Sequence, residues 1–416
     1  MASKFQTVRG MRDFLPADCR KKKQVEAVCR EVFASFGFEP LQTPVVEPFE
    51  LLSAKGSAGE AIKDEVYWFK DKGDREVGLR FDLTVPLGRV VASNPQLPKP
   101  FKRYQIGTVY RYDRPQAKRY REFTQADVDI VGVSDVTAEF EIIAIAVKIM
   151  QRLELDFFIK LNSRPVLERI ALKCNVKKEQ IPDCFRLIDK QDKSDWKTID
   201  AELKQKGIDP KIAKVLQENN LVEIEKLVGR DPSFESLLGL MELLSESGLD
   251  KFVKLDFALA RGLDYYTGTV FEVSSENTTV AAGGRYDKLV EQYGGPATPC
   301  VGISFGVDRL FDLVSQRWVL PAVSRVLVVC LDSKQQGYAF KVAESLRKAG
   351  VNVESDLLFR NIGKNIEYAV KKGIPMLAIV GENEAKEQKV TLKNLAKKTQ
   401  FLVPLSQAGS FLANSN

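Results

Sequence analysis

Apolar residues recur at i, i+3, i+4, i+7 and i+8 along residues 17–36, where Val25, Val28, Cys29, Val32, Phe33 and Phe36 form one stripe that stops at Gly37. That period predicts an amphipathic helix lying on a sheet. Alternation over Val77–Pro86 predicts instead a strand with Asp82 and Thr84 on one face. Two apolar runs, one ending at Val109-Tyr110 and one carrying Val128, Ile130 and Val131, predict the arms of a long hairpin with RYDRPQAKRYREF as its loop. Asp135 and Thr137 then open a helix whose Phe140, Ile143, Ala144 and Val147 form a buried face. From about Pro165 to Lys254 the text is Lys- and Glu-rich and helical, without a strand pattern of any length, and alternation returns at Thr269, Phe271 and Val273. Beyond Pro321, β and α patterns alternate: RVLVVCL, a helix over 335–348, VNVESD, a helix over 362–372, MLAIVG, then short strands in KVTLKNL and TQFLVP. This last part reads as a compact α/β domain. The predicted divisions are 1–164, 165–254, 255–321 and 322–416, the second a helical insertion.

Composition adds constraints. The chain has 416 residues, enough for two or three domains that each bury a core. No apolar run reaches the roughly 18 residues of a membrane-spanning helix, and MASKFQTVRG lacks the apolar core of a signal sequence. The six cysteines (Cys19, Cys29, Cys174, Cys184, Cys300 and Cys330) are scattered, with no C-x-x-C pair. A soluble cytoplasmic protein with reduced thiols is expected, with neither a zinc knuckle nor a disulfide framework. The net charge of +6 is localised. Residues 323–416 carry 14 Lys+Arg against 8 Asp+Glu, whereas the remainder carries 48 of each sign. A basic final domain suits a polyanion, and equally suits a solvated lysine-rich face. There is no histidine at all, which excludes an imidazole base, a Ser-His-Asp triad and a histidine metal ligand.

Candidate chemistry gathers in Phe101–Gly132, where five arginines surround the two hairpin runs. They can hold an anion. Alternatively, Arg111, Arg119 and Arg121 pair with Asp113, Glu122 and Asp127 across a solvated ribbon. Asp82 with Thr84 can hold an ammonium group, or form a polar strand edge. Arg261 follows the apolar FALA, so partial burial would demand an anionic partner. Tyr265 and Tyr266, adjacent on an extended segment, face opposite sides; one can line a pocket while the other packs beneath it, or both belong to the core.

These residues fall within strings that follow one family's order. Arg111-x-Asp113, then Arg114 to Gln116, then Arg119-Tyr120-Arg121-Glu122-Phe123-Thr124-Gln125 resembles motif 2 of a class II aminoacyl-tRNA synthetase, specifically the histidyl-tRNA synthetases. RGMRDFLP (9–16) resembles that family's opening, and RFDLTVP (80–86) its amino-acid pocket segment. RGLDYYTG (261–268) resembles the signature that separates the histidine enzymes from other class II members; GGRYD (283–287) and GISFGVDRL (302–310) follow, the latter resembling motif 3. The resemblance spans nearly the whole chain.

It implies an α/β fold class: an α+β catalytic domain on an antiparallel class II sheet, a helical insertion over the acceptor arm of tRNA, and a C-terminal α/β anticodon-binding domain. Pro44 would stand at the motif 1 proline of a homodimer interface, although an edge strand interrupted by proline fits that text equally. The implied reaction is ligation of L-histidine to its tRNA, with ATP and Mg2+, through an adenylate. By the same resemblance, Arg111 and Arg261 would be catalytic, gripping the α-phosphate and the histidine carboxylate. Asp82, Thr84 and Gln125 would hold the amino group, and Asp129 and Tyr266, beside Tyr265, would read the imidazole. Phe123 would stack on adenine near Asp113, Arg119 and Arg309 would serve the outer phosphates, and Arg114 and Gln116 would meet the tRNA acceptor end. No protein-bound metal is implied. Asp113 is one methylene shorter than the family's motif 2 glutamate, which bears on its adenine contact. A non-catalytic histidine-sensing paralogue and a class II synthetase for another amino acid are the competing expectations.

Overall fold

A computed structural model describes residues 5–54, 64–112, 120–192, 194–260 and 265–413. The chain forms two compact units, residues 1–318 and 319–416.

The first unit is built on an eight-stranded sheet in the order Glu39–Pro40, Phe101–Tyr110, Glu122–Val131, Cys300–Gly306, Thr278–Arg285, Thr269–Ser275, Phe158–Ser163, Val253–Leu255. The outermost pair at each end is parallel and every inner pair antiparallel. The hairpin text folds as its pattern predicts, with Tyr110 opposite Glu122 and Arg103 opposite Asp129.

Period-two alternation gives the central strand two faces. Ala126, Val128 and Ile130 enter a large apolar core with the helices Pro16–Ser35, Thr137–Arg152 and Val307–Val314. Gln125, Asp127 and Asp129 therefore project from the opposite face. The N-terminal helix buries Val25, Val28, Cys29, Val32 and Phe33, as its stripe demands. In Thr137–Arg152 the buried set is wider than the predicted stripe, since Ile142, Ile145, Ala146, Ile149 and Met150 join Ile143 and Val147, while Phe140 and Ala144 are half-buried.

Between the strands Phe158–Ser163 and Val253–Leu255 the chain is helical, from Arg164–Lys173 to Pro232–Glu246. Side-chain caps start three of its helices: Asp195 accepts from Thr198 N, Asn220 from Val222 N and Glu223 N, and Asp231 from Phe234 N. Its buried Cys184, Phe185, Leu203 and Leu237 continue the core of the first unit.

One expectation needs correction. The strand predicted over Val77–Pro86 stops at Leu79, and Thr84 begins the helix Thr84–Ser93. Asp82 is the cause: its Oδ1 accepts from Thr84 N at 3.2 Å and Val85 N at 2.9 Å, satisfying amides that a starting helix leaves unpaired. Pro86, which needs no amide partner, is compatible with that first turn.

The second unit has a five-stranded sheet in the order Val353–Ser355, Val326–Cys330, Met376–Val380, Lys389–Asn394, Gln400–Pro404. Its first three strands are parallel and the last two antiparallel. The helices Gln336–Lys348 and Ile362–Lys372 match the predicted alternation; the short helix Glu382–Glu387 and the final helix Leu405–Ala413 were not apparent in it.

Candidate active site

The polar face of the large sheet carries an uncommon density of buried charge. Arg103, fully buried, places Nη2 2.7 Å from Asp129 Oδ2 and donates to the Leu83 carbonyl at 3.2 Å. The Tyr286 hydroxyl donates to the other Asp129 oxygen. Asp127, two residues earlier on the same face and 2% exposed, shares the positive charge of Arg103. The solvated-ribbon alternative therefore fails for Asp127, which is neither solvated nor beside Arg121; the Arg121 guanidinium instead lies 4.2 Å from the Tyr112 ring centroid.

Two glycines make room for this arrangement. Gly302 lies opposite Asp129 and Gly284 opposite Gly302. A Cβ on Gly284 would come within 2.7 Å of the Tyr266 ring, and one on Gly302 within 2.1 Å of the Asp129 carboxylate. Side chains absent from the floor leave space for side chains that line the site.

Burial raises the pKa of Asp127 to about 7; the neighbouring Asp129 adds to the rise and Arg103 opposes it. Asp129 is also raised by burial, against the pull of Arg103 and the Tyr286 hydrogen bond. Tyr265 and Tyr266 are held neutral well above the ordinary phenol range, first by burial and then by the nearby carboxylates, chiefly Asp82 for Tyr265 and Asp127 for Tyr266. Among the described residues, Arg103 Nε and Nη1 and Gln125 Oε1 are buried without a hydrogen-bond partner, while Ser304 lies opposite Asp127 and offsets part of its rise. Buried polar atoms are nearly always satisfied, so an accumulation of orphans on one face is a signature of ligand-binding ground.

The residues expected to meet the amino acid come together here. Asp82, Asp129, Tyr265 and Tyr266 act on one another electrostatically, and Tyr265 stacks on Tyr286 with ring centroids 4.9 Å apart. Both tyrosines are half-buried. Gln125 projects from the same strand face, and Thr84 sits two residues from Asp82. Toward the end of the hairpin, Arg111 Nε donates to the Phe81 carbonyl at 3.0 Å, and its guanidinium lies 5.2 Å from the Phe123 ring centroid. Arg309 is exposed on the first turn of Val307–Val314 and donates to the Thr279 carbonyl at 2.7 Å. Asp113, Arg114, Gln116, Arg119 and Arg261 lie outside the described residues.

Sequence reasoning passed over Arg103 and Asp127 as site residues. Asp127 had a signal: the alternation in Gln125-Ala126-Asp127-Val128-Asp129-Ile130 puts three polar side chains on one face. Arg103 had none, because its place opposite Asp129 depends on the register of the hairpin. Asp308 was likewise quoted only as motif text, yet its Oδ2 accepts from Thr124 N at 2.7 Å and its Oδ1 from Arg12 at 3.0 Å. Arg12 lies 3.9 Å over the Tyr120 ring, so one carboxylate ties the N-terminal segment, the hairpin and the helix bearing Arg309 together. Among the described residues no cluster of Cys, Asp or Glu forms a metal site.

The family model described as histidyl-tRNA synthetase matches residues 10–310, and that described as anticodon binding domain matches residues 325–415. The chain is 38% identical over 414 residues to the histidine–tRNA ligase of Methanococcus maripaludis, covering 96% of this chain and 98% of that one. It is 33% identical over 426 residues to histidine–tRNA ligase 1 of Bacillus cereus, covering 98% and 99%. Among solved structures, the histidyl-tRNA synthetase of Nostoc superposes with a TM-score of 0.85 at 28% identity over the full length of both chains. A structure described as an ATP phosphoribosyltransferase regulatory subunit/histidyl-tRNA synthetase of Bacillus halodurans shares the fold, at 20% identity, a TM-score of 0.75, and 88% and 97% coverage.

Proposed function

The chain belongs to the histidyl-tRNA synthetase family and ligates histidine to tRNA; on that premise we propose how its residues divide the work. Histidine and ATP, the latter bringing Mg2+ held by phosphate oxygens and water, meet on the polar face of the large sheet. The histidine carboxylate attacks the α-phosphorus, pyrophosphate leaves, and a terminal ribose hydroxyl of tRNA then takes the acyl group from the adenylate. The attacking carboxylate is already ionised, so the first step needs no protein base, consistent with a chain that contains no histidine. Positioning and positive charge are what the protein supplies.

Arg111 and Arg261 hold the α-phosphate and the substrate carboxylate as charge moves toward pyrophosphate. Arg309 and Arg119 meet the outer phosphates, and Phe123 stacks on adenine beside Asp113. Asp82, Thr84 and Gln125 take the ammonium group, Asp129 and Tyr266 take the two imidazole nitrogens, and Tyr265 walls the pocket. Arg114 and Gln116 contact the acceptor end. The helical segment 165–254 lies over the acceptor arm, residues 322–416 read the anticodon, and two copies pair through the motif 1 region around Pro44 in the cytoplasm.

The observation that carries the amino-acid reading is Asp129, a buried carboxylate with both oxygens pinned and lone pairs to spare, beside two neutral phenols. Amino-acid-dependent ATP–pyrophosphate exchange, run across the amino acids, tests it. Exchange is expected with histidine alone, and charging of tRNA should follow. Exchange with another amino acid would move the specificity elsewhere, and exchange with none would identify a histidine-sensing paralogue.

A further inference from the structure

The buried guanidinium of Arg103 has no part in the scheme above, yet it is the most deeply buried charge at the site. It is fully enclosed, stands directly across the hairpin from Asp129, and contacts the carboxylate on the oxygen that Tyr286 leaves open. Its remaining nitrogens, Nε and Nη1, have no partner among the described residues, so its only described bonds are to Asp129 and the Leu83 carbonyl. Leu83 adjoins Asp82 and Thr84, where the helix Thr84–Ser93 begins. One side chain thus touches both segments expected to hold the substrate's two nitrogenous ends.

We propose that Arg103 is a positioning and specificity-determining residue: it keeps Asp129 ionised and aimed, so that the carboxylate accepts a hydrogen bond from an imidazole N–H, and it fixes the distance from that carboxylate to the ammonium-binding turn. This rests on Asp129 reading the imidazole. A carboxylate removed from water loses its charge unless a cation stands by, and a protonated Asp129 would offer a donor where an acceptor is needed. Asp127 sharpens the requirement. Two carboxylates on one strand face share a single guanidinium, and Arg103 opposes the Asp129 register position, so the charge is kept where it is useful. Gly302 leaves the volume in which the aimed carboxylate sits.

The test compares histidine with β-(2-thienyl)alanine, a five-membered aromatic analogue without a ring N–H, as ligands of the full-length protein by calorimetry. Arg103→Gln should lower the preference for histidine on the order of 10-fold, the scale of a hydrogen bond to a charged group, with thienylalanine affinity and the KM for ATP little changed. A purely structural role would weaken both ligands alike, and that result overturns the proposal. Asp129→Asn separates the two ideas. If it leaves the preference intact, the imidazole assignment itself fails. If it lowers the preference while Arg103→Gln does not, the assignment stands and the role of Arg103 falls. The double variant should lose no more preference than the single ones, because both act through one carboxylate. Should Arg103→Gln not fold, Arg103→Lys keeps the charge but cannot reach both Asp129 and Leu83; it should show a smaller fall in the same direction, and an unchanged preference would again overturn the proposal.

Discussion

Gly302 stands directly opposite Asp129 in the sheet, and a Cβ there would lie 2.1 Å from the Asp129 carboxylate and 2.8 Å from the Val128 carbonyl. One neighbour is backbone, and the other is pinned by Arg103 and Tyr286, so neither can retreat easily. Gly302→Ala should therefore displace the carboxylate and raise the KM for histidine in pyrophosphate exchange by roughly 10- to 100-fold. The melting temperature should report an overpacking cost of about 1–3 kcal/mol. An unchanged KM in a folded variant would show that Asp129 need not occupy this position.

This relationship also marks where sequence reading stops. The stripe Val25–Phe33, the hairpin arms and the α/β alternation after Pro321 were legible because each element repeats its own period. Asp82 misled, because a polar residue within an alternating run reads as strand while its carboxylate is in fact bonded to the first amides of a helix. Arg103, Gly302 and Asp308 act across register and between distant segments, and no local pattern encodes which residues a sheet will place opposite one another. Motif order supplied the rest of the candidate site, and it pointed to Asp129 and the two tyrosines but not to Arg103 and Gly302, which hold Asp129 in place.

Arg261 and Arg111 should be chemical, since their charge is needed most as negative charge redistributes at phosphorus. Replacing either with alanine should reduce adenylate formation by at least roughly 10²-fold. Lysine at position 261 should rescue poorly because it lacks the planar fork. Single-turnover quench measurements would reveal the loss, and an alanine variant that forms adenylate at the normal rate would remove that arginine from the mechanism.

Residues 319–416 hold the basic surplus in a unit with its own core of Val326, Val342, Leu346, Ala378, Val390 and Leu392. A chain ending at Trp318 should keep histidine-dependent exchange while tRNA charging collapses. The salt dependence of tRNA binding should flatten by about one unit for each lysine–phosphate contact removed. Equal loss of both activities in a folded truncated protein would contradict this division of labour.

Asp127 should make the stability of the protein pH-dependent in an unusual direction. It lies opposite Gln105 across the hairpin and one pair along from Arg103, whose charge acts on it, with Gln125 and Asp129 on its own strand, Ser304 on the strand Cys300–Gly306, and Asp82 and Tyr266 nearby. Burial places its folded pKa at about 7, whereas an unfolded aspartate titrates near ~3.9. Between those values the folded state holds a proton that the unfolded state has released. The associated stability is complete below roughly pH 4 and is lost as pH rises through about 7, after which it no longer changes. Asp127→Asn removes the titration and keeps the shape. The melting temperature of the variant relative to the parent should therefore rise from pH 5 to pH 8, by about 1 °C for each kcal/mol recovered in a chain of this size. A melting-temperature difference that stays constant across the range would show that Asp127 does not titrate there and would remove it as the source of the pH dependence.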